Sequence, residues 1–277
     1  MGGMSNAGHR AAAAAAAGLS ETRLRAAVVT PGGLWTDVRV LETTGSTNAD
    51  LLAAVADGAL EGAVLAAESQ TAGRGRLGRD WLSLPGAALT FSVLLRPRSV
   101  RPAARGWVPL LAGVAVATAV RTATGIEAIL KWPNDVLVAG GKLAGILAEQ
   151  TGDAIVVGIG INVLGGEQDL PVATATSLEL HGAGEINRTD LLAAVLGELE
   201  RWYLRWRGTG AGDAESCGLR QRYLQLSATV GRQVQVSLPG GQLLSGTARD
   251  VDATGRLMVA TEDGLVPVSA GDVIHVR

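Results

Sequence analysis

Three strand-length apolar runs follow one another at residues 127–132, 136–150 and 154–163, with short turns between them and the pair Gly140-Gly141 as a turn or bulge inside the second. Strands joined this closely read as a meander rather than as parallel strands, which need long crossovers. Upstream the order is different. A strand over residues 38–42 leads into Gly45-Ser46-Thr47-Asn48, polar residues placed to cap a helix over 49–56 that Gly58 ends. Residues 63–68 read as a buried strand, 87–95 as a strand stopped by Pro97, and 103–124 as an alanine-rich helix ending at Gly125. Strands before and between helices, then a meander, predict an α+β fold with a mixed β-sheet and helices rather than a doubly wound one.

Residues 191–206 put Leu192, Val195, Leu199 and Trp202 on one helical stripe, and 216–226 read as a further helix. The chain then changes character. Short strand-like pieces at 229–238, 242–250, 256–261, 265–267 and 273–276 alternate with glycine and aspartate turns, the spacing of a separate β-barrel of about fifty residues. The expected division is a disordered or frayed alanine-rich extension at 1–27, a main domain at 28–226 and a small β domain at 227–277. Aromatic residues are only 3% of the 277, so the core must be built from Ala, Val, Leu and Ile, with six tryptophans kept for particular positions.

Composition narrows the function. A formal net charge of -2 weighs against nucleic acid as the partner and leaves any phosphate chemistry local. Cys217 is the sole cysteine, which rules out an internal disulfide, a cysteine-based zinc site and a redox pair, and fits a reducing, cytoplasmic setting. It reads as a packed thiol. His9, His181 and His275 are too scattered for a metal cluster, so no metal is expected on protein side chains. No uninterrupted apolar run reaches the roughly 18–20 residues of a membrane span. Alanines 11–17 are too short and too weakly apolar for a signal peptide.

Residues 69–81 carry most of the chemistry. Gly73, Arg74, Gly75, Arg76, Gly78 and Arg79 alternate, and Trp81 follows. Glycine lets backbone N–H groups close on a ligand, arginine offers forked donors to carboxylate and phosphate, and the indole adds a flat surface. The segment suits an anionic small molecule with a stackable base; a solvated basic loop is the plainer alternative. Ser46, Thr47 and Asn48 are covered by an N-cap alone. A type I turn covers Pro133-Asn134-Asp135 but not why Lys131 and Trp132 end the same strand. In Gly141-Lys142-Leu143-Ala144-Gly145-Ile146-Leu147, alternation puts Lys142 on the face of Ala144 and Ile146, so its head either snorkels at a sheet edge or neutralises an anion in a cleft. Gly158 and Gly160 clear one strand face, for a flat ligand or for a tight helix contact.

Taken in order, the segments Gln70–Arg79 with Trp81, Lys131-Trp132-Pro133-Asn134-Asp135, Gly141–Leu147 and Gly158-Ile159-Gly160-Ile161-Asn162 resemble the biotin protein ligases (biotin–[acetyl-CoA-carboxylase] ligases). The likeness covers roughly residues 38–163, and the tail resembles the family's SH3-like C-terminal domain. It implies a class II synthetase-like catalytic domain that joins biotin and ATP, with Mg²⁺, into biotinyl-5′-AMP. The biotinyl group then passes to a lysine of the biotin carboxyl carrier domain of an acetyl-CoA or acyl-CoA carboxylase. Ser46, Thr47, Asn48, Gln70, Gly73, Arg74, Trp132, Gly145 and Gly158 would form the biotin pocket. Arg76, Arg79, Trp81, Lys131, Asn134 and Asn162 would serve ATP. Lys142 would bridge the biotin carboxylate and the α-phosphate. From the residues themselves, Arg76 is expected to help Lys142 relieve repulsion between the two anions, and Asp135, at the end of the Trp-Pro-Asn-Asp turn, is the nearest candidate in sequence to orient the acceptor amine.

Bifunctional members of the family carry an N-terminal winged helix-turn-helix, whereas the residues ahead of the first strand here are alanine-rich and lack recognition-helix chemistry, so no DNA partner is expected. No membrane partner is expected, and the enzyme is read as a monomer or weak homodimer. The nearest rival is a lipoate–protein ligase-like acyl-adenylate ligase, but its Arg-Arg-x-Ser-Gly-Gly-Gly segment is absent. A non-catalytic nucleotide-binding or RNA-binding module would need spare basic residues in the tail, which is balanced or acidic over 251–260 and 262–272.

Overall fold

The computed structural model describes residues 18–276 except residue 239; the expected extension therefore lies outside the described residues over 1–17. Its last part is not frayed. Helix α1, Glu21–Val28, starts at Ser20, whose side chain accepts from the Arg23 N–H, and it buries Leu24 and Val28. These two residues are an i, i+4 pair, and they pack toward helix α4 introduced below. A short helix is marginal alone but holds once its apolar stripe has a partner face.

Strands β1 (Asp37–Thr44), β2 (Ala63–Gln70), β3 (Ala88–Leu95), β4 (Ala128–Lys131), β5 (Asp135–Val138), β6 (Gly141–Thr151) and β7 (Ala154–Asn162) form one sheet in the order β1-β2-β3-β7-β6-β5-β4. The β1–β2 pair is parallel, bridged by helix α2 (Thr47–Ala56), and the other pairs are antiparallel. The sheet is mixed, as expected. Ala139 and Gly140 take φ of 49° and 85°, the left-handed pair that turns β5 tightly into β6.

Helix α3 (Trp107–Thr124) covers one face, with α4 (Arg188–Gly208) and α5 (Leu219–Leu226) packed on it. By length and composition the helical stretch Pro102–Thr124 could cross a membrane, yet here it lies largely buried between the sheet and α4. Alternation along β7 separates the two faces. Ile155, Val157, Ile159 and Ile161 join the main core, while Ala154 and Val156 pack with Leu51, Leu65 and Leu94 in a smaller cluster at α2. Gly158 and Gly160 continue that second face beyond the cluster, and the site lies there.

Strands β8 (Gln233–Ser237), β9 (Leu243–Val251), β10 (Leu257–Thr261), β11 (Gly264–Val268) and β12 (Asp272–His275) form an antiparallel sheet in the order β11-β10-β9-β8-β12. This is the small SH3-like unit. Trp35, Trp107, Trp132, Trp202 and Trp206 are buried. Trp107 and Trp132 donate from Nε1 to the carbonyls of Asp252 and Gly255, at 3.2 and 3.1 Å, and so tie the two units together.

Candidate active site

A cavity of about 420 Å³ opens among the bared strand β7, the Gly/Arg loop and β12. Ser46, Thr47, Asn48, Gln70, Arg74, Arg76, Arg79, Trp81, Lys131, Trp132, Asn134, Asp135, Lys142, Gly145 and Gly158 line it; Gly73 and Asn162 do not. Gly73 shapes the loop instead: its carbonyl accepts the Trp81 N–H at 2.9 Å, and a Cβ there would lie 2.4 Å from Trp81 O. Asn162 is buried, and its amide donates to Thr176 O at 3.0 Å and Lys142 O at 3.5 Å, bracing the wall from behind.

Lys142 reaches the cavity through a β-bulge. The β5–β6 register shifts so that Val136 faces Ala144 and Leu137 faces Lys142, leaving Leu143 as the extra residue. Lys142 therefore changes face, away from Ala144 and Ile146, which corrects the simple alternation expected. A Cβ on Gly145 would meet Lys142 Cε at 3.3 Å, while a Cβ on Gly113 of α3 would meet Ile146 Cδ1 at 3.6 Å. Lys142 Nζ stands 2.7 Å from Asp135 Oδ1, so the ammonium is held beside a carboxylate at the β5 start.

The loop arginines diverge. Arg76 donates to Asn134 Oδ1 at 2.9 Å and to Gly271 O at 3.3 Å. Burial lowers the pKa of its guanidinium, with Asp135 opposing and Arg79 adding to the shift; arginine nonetheless stays charged in proteins. Arg79 is ion-paired with Asp272 at the start of β12. Arg74 turns the other way, to Glu149 Oε1 at 2.8 Å. Asp272 was not expected in the site, because nothing local links it to a loop so distant in the chain.

The opposite end of the cavity is a hydrogen-bonded cluster. Ser46 caps α2 by accepting from Ala49 N–H at 3.5 Å. Thr47 N–H donates to Gln70 Oε1 at 2.8 Å, and the Thr47 hydroxyl meets Ser92 Oγ at 2.7 Å. Ser92 and Glu149 were also missed. For Ser92 a signal existed, since Thr90 and Ser92 are polar at alternate positions of an otherwise apolar strand.

The strand glycines admit side chains of the protein itself. A Cβ at Gly158 would lie 2.2 Å from Asn48 Oδ1, and one at Gly160 would lie 2.2–2.6 Å from three Trp81 indole atoms. Trp81 thus rests flat on β7, with its Nε1 buried and unpartnered. Gly160→Ala is expected to push the indole off the strand and raise KM for the small-molecule substrate by about ten-fold or more, with the melting temperature nearly unchanged. A parent-like KM would mean that the ring position is immaterial.

A mixed sheet whose bared face sets a lysine and an arginine across one cavity from a hydrogen-bonding pocket, with a five-stranded unit closing its side, defines a carboxylate-activating ligase of the biotin/lipoate type. Residues 43–165 match the Biotin/lipoate A/B protein ligase family, and 229–276 match the biotin protein ligase C terminal domain. The chain is 43% identical to the biotin--[acetyl-CoA-carboxylase] ligase of Mycobacterium tuberculosis, over 94% of this chain and 96% of that protein. It is 33% identical to the bifunctional ligase/repressor BirA of Escherichia coli, over 87% of this chain and 74% of that one. The biotin protein ligase of Aquifex aeolicus, solved with biotin and ATP, superposes with a TM-score of 0.74 at 28% identity, over 88% of this chain and 100% of that one. This chain belongs to the biotin protein ligases.

Proposed function

We propose that this chain activates biotin with ATP and transfers the biotinyl group to a lysine of a biotin carboxyl carrier domain of an acyl-CoA carboxylase. The observation that carries the reading is one cavity holding Lys142 and Arg76 together with the polar group Ser46, Thr47, Gln70 and Arg74. In the first step a biotin carboxylate oxygen attacks the α-phosphorus and pyrophosphate leaves. A carboxylate needs no general base. It needs relief from repulsion between two anions and in-line placement, the work of Lys142 and Arg76.

In the second step the acceptor ε-amine attacks the acyl carbon, AMP leaves and the amine loses a proton; Asp135 is the carboxylate assigned to orient that amine. Arg79 would hold phosphate, while Trp81, Lys131 and Asn134 would contact the nucleotide. The described residues hold no group of three His, Cys, Asp or Glu side chains placed for a metal. Mg²⁺ brought in with ATP would supply positive charge to the phosphate oxygens, the hard ligands it prefers.

The catalytic unit is assigned from α1, rather than after it, to the end of α5, and residues 227–277 form the second unit. The reading includes a cytoplasmic setting, which the single cysteine supports, and no DNA partner, which the net charge of -2 supports; a monomer or weak homodimer without a membrane partner completes it. Incubation with a carrier domain, biotin and MgATP is expected to add one biotinyl group to the carrier by mass. The gain should vanish without ATP, or when the acceptor lysine is arginine. An unmodified carrier in the complete mixture would contradict the proposal.

A further inference from the structure

The polar end of the cavity has a direction built into its hydrogen bonds. Asn48 Nδ2 lies 2.8 Å from Glu149 Oε2 and 3.3 Å from the Leu147 carbonyl. A carboxylate and a carbonyl only accept, so the Asn48 amide is fixed with its nitrogen toward them. Asn48 Oδ1 must then accept, and the Ser92 hydroxyl at 2.6 Å gives it the one proton it has. With that proton committed, the 2.7 Å contact between Ser92 Oγ and Thr47 Oγ1 requires Thr47 to donate. Gln70 Oε1, 3.1 Å from the same Thr47 hydroxyl, is held by the Thr47 N–H at 2.8 Å. Thr47 has no second hydroxyl proton to give it. Protons are thus handed along Thr47 to Ser92 to Asn48 to Glu149, and the hydroxyl of Thr47, a residue of the cavity lining, keeps its lone pairs for an incoming donor.

We propose that Glu149 is the positioning residue that sets this direction and makes the pocket end an acceptor for a ring N–H. The inference rests on the biotin reading and adds a specificity element to it. The ligand atom at Thr47 has to be a donor, such as one N–H of a cyclic urea; a ring oxygen there would set lone pair against lone pair. Glu149 is not on the cavity wall and acts through Asn48 and, by its other oxygen, through Arg74 at 2.8 Å. Ser92 is fully buried, and Thr47 and Asn48 are each 3% exposed. Bulk water therefore has little access to reverse the relay, and an unpaired group in such a site is costly.

The test compares biotin with a carbamate analogue in which ring oxygen replaces a ureido N–H, both regioisomers being assayed by kcat/KM for ligand-dependent pyrophosphate exchange. In the parent, biotin should be strongly preferred, because a site built around a substrate N–H rejects the analogue lacking it. Glu149→Gln should reduce that preference at least about ten-fold while KM for ATP stays within about two-fold. Ser92→Ala cuts the same relay at another link and should reduce it likewise, and the double variant should do little more than either single one. If Glu149→Gln does not fold, Ser92→Ala decides. A preference unchanged within about two-fold in the folded variants, even with a raised KM for biotin, would reduce Glu149 to a structural tie and overturn the proposal. A parent enzyme without biotin-dependent exchange is a separate result, and it would overturn the function itself.

Discussion

Lys142→Ala is expected to slow biotinyl-adenylate formation by about 10²–10³-fold, on the order of 3–4 kcal/mol of transition-state stabilisation, with the fold intact. The bulge at Leu143 brings this ammonium over Gly145 and beside Asp135, on the face that carries the cavity. Nothing in the core depends on it: its side chain is one-third exposed and its polar partner is a single carboxylate. The loss should therefore appear in single-turnover adenylate formation and not in the melting temperature. Methionine at 142 should be as poor as alanine, because charge rather than bulk is what two approaching anions need. Adenylation at close to the parent rate would show Lys142 to be a lysine of the sheet edge and nothing more.

Leu24→Ala is expected to cost about 2–5 kcal/mol of stability, the usual range for deleting a buried leucine. For a chain of this size that corresponds to roughly 2–4 °C of Tm per kcal/mol. Leu24 is fully buried in the main core, and Ser20 caps its helix. KM for biotin should not move, because α1 packs on β1 and α4, neither of which lines the cavity. A Tm within about a degree of the parent would mean that α1 contributes little to the core.

The meander and the barrel tail were legible because turn glycines and alternating apolar residues are local signals. The site was legible in large part for a similar reason: its cations and glycines lie in short runs, at 70–81, 131–135 and 141–147. Local reading failed where pairing between distant strands decides the geometry. The one-residue bulge that turns Lys142 onto the site face depends on the register with β5, which Leu143 does not announce. The Arg79–Asp272 pair joins the Gly/Arg loop to the second unit, and Glu149 matters only because Gly158 leaves room for Asn48 beneath it. Helix α1 was obscured by the alanine run before it, although Ser20, Leu24 and Val28 carry a cap and an i, i+4 stripe. Of the residues expected in the pocket, Gly73 and Asn162 act from behind its wall, one by shaping the loop and the other by holding residues 174–176 against β6.

On the proposed function, the cavity joins a biotin carboxylate to the α-phosphate of ATP. Exchange of labelled pyrophosphate into ATP measures that step alone, free of any carrier domain. Exchange is expected to require biotin, to find no support from lipoate and to collapse in Lys142→Ala. Exchange that proceeds without biotin, or equally well with lipoate, would contradict it.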